Sequence, residues 1–221
     1  VLVCMRSAMS NFGYHTILSV SWIVISYYSG YYEVYRFTKE ITILGKLFKQ
    51  FVFISSVSVY GQQTGININE NHPLLAKDPY GLSKIQAEQV VLDWCKKNNV
   101  TCTILRLPLL VGENAPGNLG SMINAISKGY YFNVAGGKAQ KSMVLAIDVA
   151  KFIPIISPIG GTYNLTDGEH PSFKDLSKAI ATRYRSKLYI DIPLFVAYFL
   201  AKIGIISTEF LVKYRKHAFL V

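Results

Sequence analysis

A tyrosine and a lysine spaced one helical turn apart are the residues of this sequence best suited to proton transfer. Tyr80 and Lys84 lie in the run PYGLSK, in which Pro79 favours the start of a helix. A separation of four residues places both side chains on the same helix face. The pKa of a free tyrosine is about 10, and a nearby ammonium lowers it because it stabilises the phenolate. Tyr80 is therefore a candidate general base toward a substrate hydroxyl.

Two serines end the predicted strand that precedes this helix. The run Phe51–Ile54 is apolar, as expected of a buried strand, and it leads directly into Ser55 and Ser56. A hydroxyl at Ser56, 24 residues before Tyr80, is a candidate for orienting the same substrate oxygen. The alternative interpretation is structural, since a Tyr-x-x-x-Lys pair on the surface of an ordinary helix is common by chance.

The motifs SSVSVYG at 55–61 and PYGLSK at 79–84 together resemble the active-site core of the extended short-chain dehydrogenase/reductase family. The resemblance is to its NAD-dependent epimerase/dehydratase group, which acts on nucleotide sugars. It implies an α/β fold with a Rossmann-like parallel sheet and a small α/β substrate lobe. It also implies NAD as the cofactor, and the sequence leaves NADP open because the residues that choose between them are not found.

The resemblance assigns roles to residues of the two motifs. It implies that Ser56, Tyr80 and Lys84 are catalytic and that Ser56 also contacts the substrate. Tyr80, Lys84 and Ser55 are expected at the cofactor, with Lys84 on the nicotinamide ribose. The spacing to Val59-Tyr60-Gly61 favours Ser56 over Ser55 as the catalytic serine. Ser58 and Tyr60 are expected to pack locally.

Further site residues are implied by matches outside the two motifs. In the run RLPLLVG, the backbone at Pro108 and Leu109 is expected beside the nicotinamide, and Arg106 is expected to form a structural ion pair. Asn118 and Lys141 stand where the family places substrate-contacting polar residues. Lys141 replaces the arginine of many members, which keeps the charge but loses the bidentate fork.

The resemblance begins near residue 31 and runs to the last residue. The first 50 residues lack the strand, glycine-rich turn and helix of a dinucleotide-binding fold, and Gly13 and Gly30 are isolated. We therefore expect a family member that lacks its first βαβ units, or carries a replacement for them, and that lacks a C-terminal stretch. We leave residues 1–30 unassigned, assign 31–113 to a partial cofactor domain with the catalytic core, and assign 114–221 mainly to the substrate lobe.

Local patterns predict the elements that position these residues. A helix is predicted from Tyr80 to Asn98 and a buried parallel strand from Val100 to Leu107. The run GGTYNL at 160–165 resembles a strand of the small lobe. Asp148 is predicted to cap one helix, and Ser172 is predicted to cap the helix that follows it.

Composition bounds the class of protein and its partners. Hydrophobic residues make up 51% of the chain and charged residues 16%, which is typical of a globular protein. The net charge of +10 suits an anionic substrate such as a nucleotide diphosphate. A nucleic-acid partner is disfavoured because the basic residues are scattered and carry no known binding motif.

The cysteines and histidines lack metal-ligand spacing, so no metal is expected. Cys95 and Cys102 are predicted to be buried thiols, which fits the cytoplasm.

Three alternative functions are compatible with the sequence, and a second copy of the chain is a possible partner. The chain could be a reductase of the same family, or a non-catalytic remnant that binds no cofactor. It could also be a membrane-surface protein anchored through residues 16–28 or 193–206. Stable membrane insertion is not expected, since the apolar run 16–28 is shorter than the roughly 20 residues that span a bilayer. The family resemblance also implies a homodimer formed through the Tyr80 helix.

Overall fold

The computed structural model describes residues 21–23, 49–62, 65–112, 117–186 and 190–202 of the 221-residue chain. Most of the unassigned segment 1–30 and residues 31–48 lie outside these ranges. The strands in chain order are β1 (Ser21–Ile23), β2 (Gln50–Ser56), β3 (Thr101–Leu107), β4 (Leu109–Val111), β5 (Phe132–Val134), β6 (Met143–Leu145), β7 (Gly161–Asn164) and β8 (Ile190–Ile192). The helices are α1 (Pro79–Asn98), α2 (Gly117–Ser127), α3 (Ala146–Ile156), α4 (Phe173–Arg183) and α5 (Leu194–Lys202).

A four-stranded parallel sheet in the order β1-β2-β3-β7 is the centre of the fold. Ser56 lies beside Leu107 in the register of β2 and β3, and Leu105 lies beside Tyr163 in the register of β3 and β7. Helix α1 connects β2 to β3, which gives the βαβ unit that parallel neighbours require. The prediction of an α/β fold with a parallel sheet is confirmed.

The sheet is buried on both faces, because five consecutive residues of β2 and five of β3 are buried while side chains alternate between the two faces. Their alternate residues contribute to two clusters. One cluster includes α1 and comprises Phe51, Phe53, Ala87, Val91, Trp94, Cys95, Val100 and Ile104. The other includes α3 and comprises Val52, Ile54, Leu105, Leu107, Val144, Val149, Ile153 and Ile156. Cys95 is buried and Cys102 is half-buried, and both are free thiols.

The chain divides into two compact units. The first comprises residues 1–62, 68–113 and 144–167, and the second comprises 63–67, 114–143 and 168–221. Residues 144–167 therefore group with the sheet, whereas the sequence placed them with the lobe. The assignment of GGTYNL to the small lobe was wrong, because β7 pairs with β3 in the central sheet.

The second unit has its own small core. Strands β5 and β8 pair in parallel, and Val134 and Ala197 pack together between β5 and α5. Helices α2 and α4 pack through a cluster that includes Met122, Ile126 and Ala181. These contacts give the unit the small α/β character that the sequence predicted.

The two predicted helix caps had different outcomes. Ser172 Oγ accepts a hydrogen bond from the N–H of Asp175 and caps α4, as predicted. Asp148 was wrongly predicted as a cap. Helix α3 begins two residues earlier at Ala146, after Leu145, and Asp148 lies inside its first turn, where a carboxylate favours the helix dipole.

Candidate active site

The first turn of α1 packs closely against the 3₁₀ turn Val57–Tyr60, which directly follows Ser56. Asp78 Oδ1 accepts a hydrogen bond of 2.9 Å from the N–H of Gly81 and so fixes the start of the helix. A Cβ at Gly81 would lie 2.4 Å from Ala76 Cβ and 2.9 Å from the carbonyl oxygen of Ser58. Only glycine therefore permits this approach, which brings the start of the Tyr80 helix to the end of β2. Local sequence patterns did not reveal this role, although a glycine inside a helix destabilises it and so indicates a packing reason.

Lys84 is buried beneath Tyr80, with 7% of its surface exposed. Its Nζ lies 5.9 Å from the centroid of the Tyr80 ring and 5.3 Å from that of Phe53. The ammonium donates a hydrogen bond of 3.3 Å to the carbonyl oxygen of Ile54 in β2. The structure thus brings Tyr80 and Lys84 together against the strand that ends in the two serines.

Two opposing effects act on the pKa of Lys84. Burial lowers the pKa of this ammonium, and the negative charge of Glu88, one helical turn further on, partly offsets that effect. The net result is a pKa below the ordinary value of a lysine. A cation held at low dielectric beside a phenol acts more strongly on it than an exposed cation would.

Ser56 is half-buried and caps the 3₁₀ turn, because its Oγ accepts a hydrogen bond of 3.2 Å from the N–H of Ser58. This bond occupies an acceptor site of Ser56 and leaves its hydroxyl hydrogen able to donate. The Oγ of Ser58 is buried and has no hydrogen-bond partner within the described part of the chain. The sequence predicts only local packing for Ser58. It does not predict a buried Ser58 hydroxyl that lacks a hydrogen-bond partner so close to Ser56.

Ser55 is buried, and its hydroxyl is hydrogen-bonded to a side chain of α1. Its Oγ donates a hydrogen bond of 2.5 Å to Glu88 Oε1. A contact between the Ser55 hydroxyl and a cofactor would have to share this group with Glu88. The predicted cofactor role of Ser55 stays a prediction.

Arg106 joins α1, the 3₁₀ turn and the loop before α1. Its Nη2 lies 2.7 Å from Glu88 Oε2 and its Nε lies 3.0 Å from Glu88 Oε1, so the ion pair is bidentate. Its Nη1 donates to Tyr60 Oη at 2.9 Å and to the carbonyl oxygen of Glu70 at 3.2 Å. The predicted structural ion pair of Arg106 is confirmed. We call Ser55, Glu88, Arg106, Tyr60 and Asn164 the Arg106 network.

Asn164 extends the network to the loop that precedes α1. Tyr60 Oη donates to Asn164 Oδ1 at 2.8 Å, and Asn164 Nδ2 donates to the carbonyl oxygen of Ile68 at 3.0 Å. The backbone N–H of Asn164 donates to Glu70 Oε1 at 2.7 Å. The loop is therefore held at Ile68 and Glu70 by Arg106 of β3 and Asn164 of β7. Sequence spacing could not reveal these contacts, since the partners lie up to about 100 residues apart.

The remaining predicted residues follow β3 or lie in the second unit. Pro108 follows β3 and Leu109 begins β4, and both are half-buried. Asn118 lies in the first turn of α2. Lys141 is half-buried, and its backbone N–H donates to the carbonyl oxygen of Pro171 at 3.4 Å. Their cofactor and substrate contacts stay predictions. In the residues that the structure describes, no group of His, Cys, Asp or Glu side chains could hold a metal ion.

Comparison with known proteins identifies the family. The profile of the NAD dependent epimerase/dehydratase family matches residues 39–162, which is more than half of the chain. The chain belongs to this family. The match contains β2, α1 and β3 with the Ser56, Tyr80 and Lys84 positions, and it ends within β7.

Similar curated proteins of this family are sugar 4-epimerases. The chain is 36% identical over 107 residues to N-acetyl-alpha-D-glucosaminyl-diphospho-ditrans,octacis-undecaprenol 4-epimerase of Escherichia coli O157:H7, covering 48% of this chain and 32% of that protein. It is 32% identical over 124 residues to UDP-glucose 4-epimerase of Dictyostelium discoideum, covering 54% and 32%. The matched region thus spans about a third of the length of these relatives.

Solved structures support the fold. UDP-N-acetylglucosamine 4-epimerase from Bacillus cereus matches with a TM-score of 0.64 and 18% identity over 86% of this chain and 70% of that one. UDP-glucose 4-epimerase from Thermus thermophilus, solved with NAD, matches with a TM-score of 0.61 and 19% identity over 72% and 56%. The fold of this chain is therefore that of the Rossmann-type epimerases.

The donor groups of the site fit one end of a dinucleotide. Lys84 uses one of three ammonium hydrogens on Ile54 within the described part of the chain, so two remain for ribose hydroxyls. The Ser56 and Ser58 hydroxyls lie at the same strand end. In the described ranges no glycine-rich turn, the element that holds a pyrophosphate, stands between a strand and a helix.

Proposed function

We propose that this protein catalyses NAD-dependent epimerisation at a hydroxyl-bearing carbon of a nucleotide sugar. The observation that carries the proposal is the buried Lys84 ammonium, which lies beside the Tyr80 ring at the end of the strand that presents Ser56. A buried cation destabilises a fold, and groups of this kind cluster at functional sites. The family and its 4-epimerase members support the same reaction.

Each residue then has a defined task. Ser56 donates a hydrogen bond to the reacting sugar hydroxyl and orients it toward Tyr80. Tyr80 Oη removes the hydroxyl proton and later returns it, and the Lys84 cation stabilises the phenolate form of Tyr80 that accepts the proton. Lys84 also donates to the hydroxyls of the nicotinamide ribose. When bound, NAD supplies the acceptor and donor of hydride, so the residues of this chain supply orientation and proton transfer.

Epimerisation is favoured over loss of water by the groups near Tyr80. Elimination of a hydroxyl requires an additional acid to protonate the leaving oxygen, whereas epimerisation requires one base that takes and returns a proton. No acidic residue lies in the 3₁₀ turn or in the first turn of α1. The carboxylate of Asp78, just before α1, is bound to the N–H of Gly81.

The substrate is proposed to be a sugar linked to a diphosphate. The relatives include a UDP-sugar epimerase and an epimerase of a diphospho-undecaprenol sugar, and a sugar–diphosphate linkage is common to both names. The net charge of +10 suits such an anion, and Asn118 and Lys141 are proposed to contact it. The cytoplasm is the proposed location, because both NAD and nucleotide sugars are present there.

Calorimetric titration with NAD is the first test. We expect saturable binding to the wild-type chain, weakened about tenfold or more in Lys84→Ala because hydrogen bonds from a charged group are lost. Lys96→Ala is the matched control, since Lys96 is an exposed lysine of the same helix. The second step follows UDP-glucose and UDP-N-acetylglucosamine by NMR with NAD present, in the wild type and in Tyr80→Phe.

The outcomes separate the reaction from cofactor binding. Formation of the epimer by the wild type but not by Tyr80→Phe would support the proposal. NAD binding without conversion of either sugar would leave a cofactor-binding protein for a different substrate or a reductase. Absence of NAD binding at millimolar concentration would overturn the proposal and favour the non-catalytic alternative.

A further inference from the structure

The positive charge of the chain is concentrated in the second unit. Residues 63–67, 114–143 and 168–221 contain twelve of the 23 lysines and arginines but only four of the 13 acidic residues. This unit therefore carries a formal charge of +8 of the chain's +10. The first unit, which contains Ser56, Tyr80 and Lys84, is close to neutral. A bound nucleotide sugar has only about two negative charges near pH 7, which is far fewer than this excess.

Helix α5, in the same unit, presents a large apolar face to solvent. Phe195 and Phe199 are 74% and 62% exposed, and Leu194 and Tyr198 are also exposed. Their spacing places these four residues on one side of the helix. Lys202, also exposed, follows on the same side one turn after Tyr198.

The opposite side of α5 attaches the helix to its own unit. Ala197 is fully buried and packs with Val134, and Phe132 and Ile192 lie against them. The exposed rings are therefore displayed by a helix that is fixed in place. Large aromatic side chains grouped at such exposure on a folded surface mark an interaction site.

We propose that this face of α5 docks on the surface of an anionic phospholipid bilayer. The helix would lie in the plane of the membrane, with Phe195 and Phe199 inserted among the acyl chains and the phenol of Tyr198 at the headgroups. Lys202 would extend its ammonium to the phosphates. The unit's charge of +8 attracts the anionic surface and adds to the apolar contact.

The same charge argues against a second copy of this chain as the occupant. Two units of +8 brought face to face would repel each other. Docking in the plane needs no spanning segment, and no described helix is long and apolar enough to cross a membrane. The inference does not depend on the proposed reaction.

Vesicle flotation with the purified full chain tests the proposal, without NAD or a sugar. We expect the protein to float with vesicles of equimolar phosphatidylcholine and phosphatidylglycerol, and to float weakly with phosphatidylcholine alone. Phe195→Ser/Phe199→Ser should reduce binding to the anionic vesicles by about tenfold or more, because two rings no longer leave water. Added salt should reduce the binding of the wild type.

Ile155→Ser/Ile159→Ser is the matched control, because these two side chains are equally exposed on the first unit. It should bind vesicles within about twofold of the wild type, since surface changes outside a binding face have little effect. Circular dichroism checks that both double variants fold. Equal flotation of the two double variants would overturn the proposal, as would failure of the wild type to float. Light scattering that shows a dimer lost only in Phe195→Ser/Phe199→Ser, without vesicle binding, would assign the face to a second copy and also overturn it.

Discussion

Arg106 Nη2 lies 2.7 Å from Glu88 Oε2, and both side chains are buried between β3 and α1. Burial alone would lower the pKa of Arg106, but its hydrogen bonds to Glu88 and Tyr60 outweigh that effect and raise it. Arg106 therefore stays charged in the folded protein, and it forms a bidentate ion pair with Glu88. It fixes the helix that carries Tyr80 and Lys84 to the strand next to Ser56.

Arg106→Met should lower the free energy of unfolding by roughly 3–5 kcal/mol, because it leaves the Glu88 carboxylate buried without its cation. Urea unfolding at pH 7 measures the change. Adding Glu88→Leu should recover a large part of the loss, since the double variant no longer buries a carboxylate without the Arg106 cation. A double variant no more stable than Arg106→Met would show that the pair is not coupled in this way.

Lys151→Met provides the control for an exposed ion pair. Lys151 Nζ lies 3.7 Å from Asp148 Oδ1, and both side chains are at least half exposed. Solvent screens this pair, so the free energy of unfolding should change by about 0.5 kcal/mol or less. A loss similar to that of Arg106→Met would contradict the role of burial.

Lys84→Met should increase the free energy of unfolding at pH 7 while it weakens the binding of NAD. The folded-state pKa of Lys84 lies below 10.5 because burial disfavours the ammonium. Between that lowered pKa and 10.5 the unfolded chain binds more protons, so the stability of the wild type rises with pH in this window. The advantage of Lys84→Met should therefore shrink as the pH approaches 10.5.

Urea unfolding of both proteins at several pH values from 7 to 10 tests this prediction, since effects of other groups cancel in the difference. Lys96→Met, at an exposed lysine of the same helix, is the matched control. A Lys84→Met variant that is less stable than the wild type at every pH would mean that the bond to Ile54 outweighs the cost of burial.

Gly81→Ala adds one methyl group, but it should disturb the candidate active site more than a single methyl group usually does. The new methyl group would overlap Ala76 Cβ and the carbonyl oxygen of Ser58, so the start of α1 must move away from the 3₁₀ turn. We expect a loss of about 1–3 kcal/mol in unfolding free energy and a lower kcat. Gly129→Ala is the comparison, because no atom lies within 4 Å of its added Cβ and only its φ of +75° opposes the change. Equal kcat values for the two variants would contradict the close approach at Gly81.

Tyr60→Phe should loosen the loop before α1. Its hydroxyl accepts from Arg106 and donates to Asn164, and removing it leaves buried partners unsatisfied at a cost of about 1–3 kcal/mol. Hydrogen exchange should become faster around residues 68–70, which Asn164 and Arg106 hold. Tyr130→Phe, at an exposed tyrosine, serves as the control. Unchanged exchange at residues 68–70 in Tyr60→Phe would show that the loop does not depend on this network.

Local patterns were sufficient to predict the elements that carry the site. The apolar run before Ser55 gave β2, Pro79 gave the start of α1, and Asn98 was correctly placed as its last residue. These features depend on residues close in sequence, such as the cap at Asp78 and the proline that follows it. The family resemblance supplied the roles of Ser56, Tyr80 and Lys84.

Long-range pairing was not predictable in the same way. The strand GGTYNL has a pattern that fits either unit, and only its pairing with β3 decides its place. The hydrogen-bond partners of Arg106 come from α1, the 3₁₀ turn and the loop before α1, so no spacing in the sequence predicts them. The unmet hydroxyl of Ser58 also emerges only from three-dimensional packing.

Strand β7 is synthesised well after β3, and this delay limits the order in which the nascent protein can fold. The ribosome makes β7 about 60 residues after β3, with part of the second unit between them. Until then, the edge of β3 and the side chains of Val52 and Leu105 lack the cover of β7 and α3. If the gene were split between codons 113 and 114, β3 would be made on one fragment and its neighbour β7 on the other. Neither fragment alone would then form a stable domain. Coexpressed halves should instead assemble with each other.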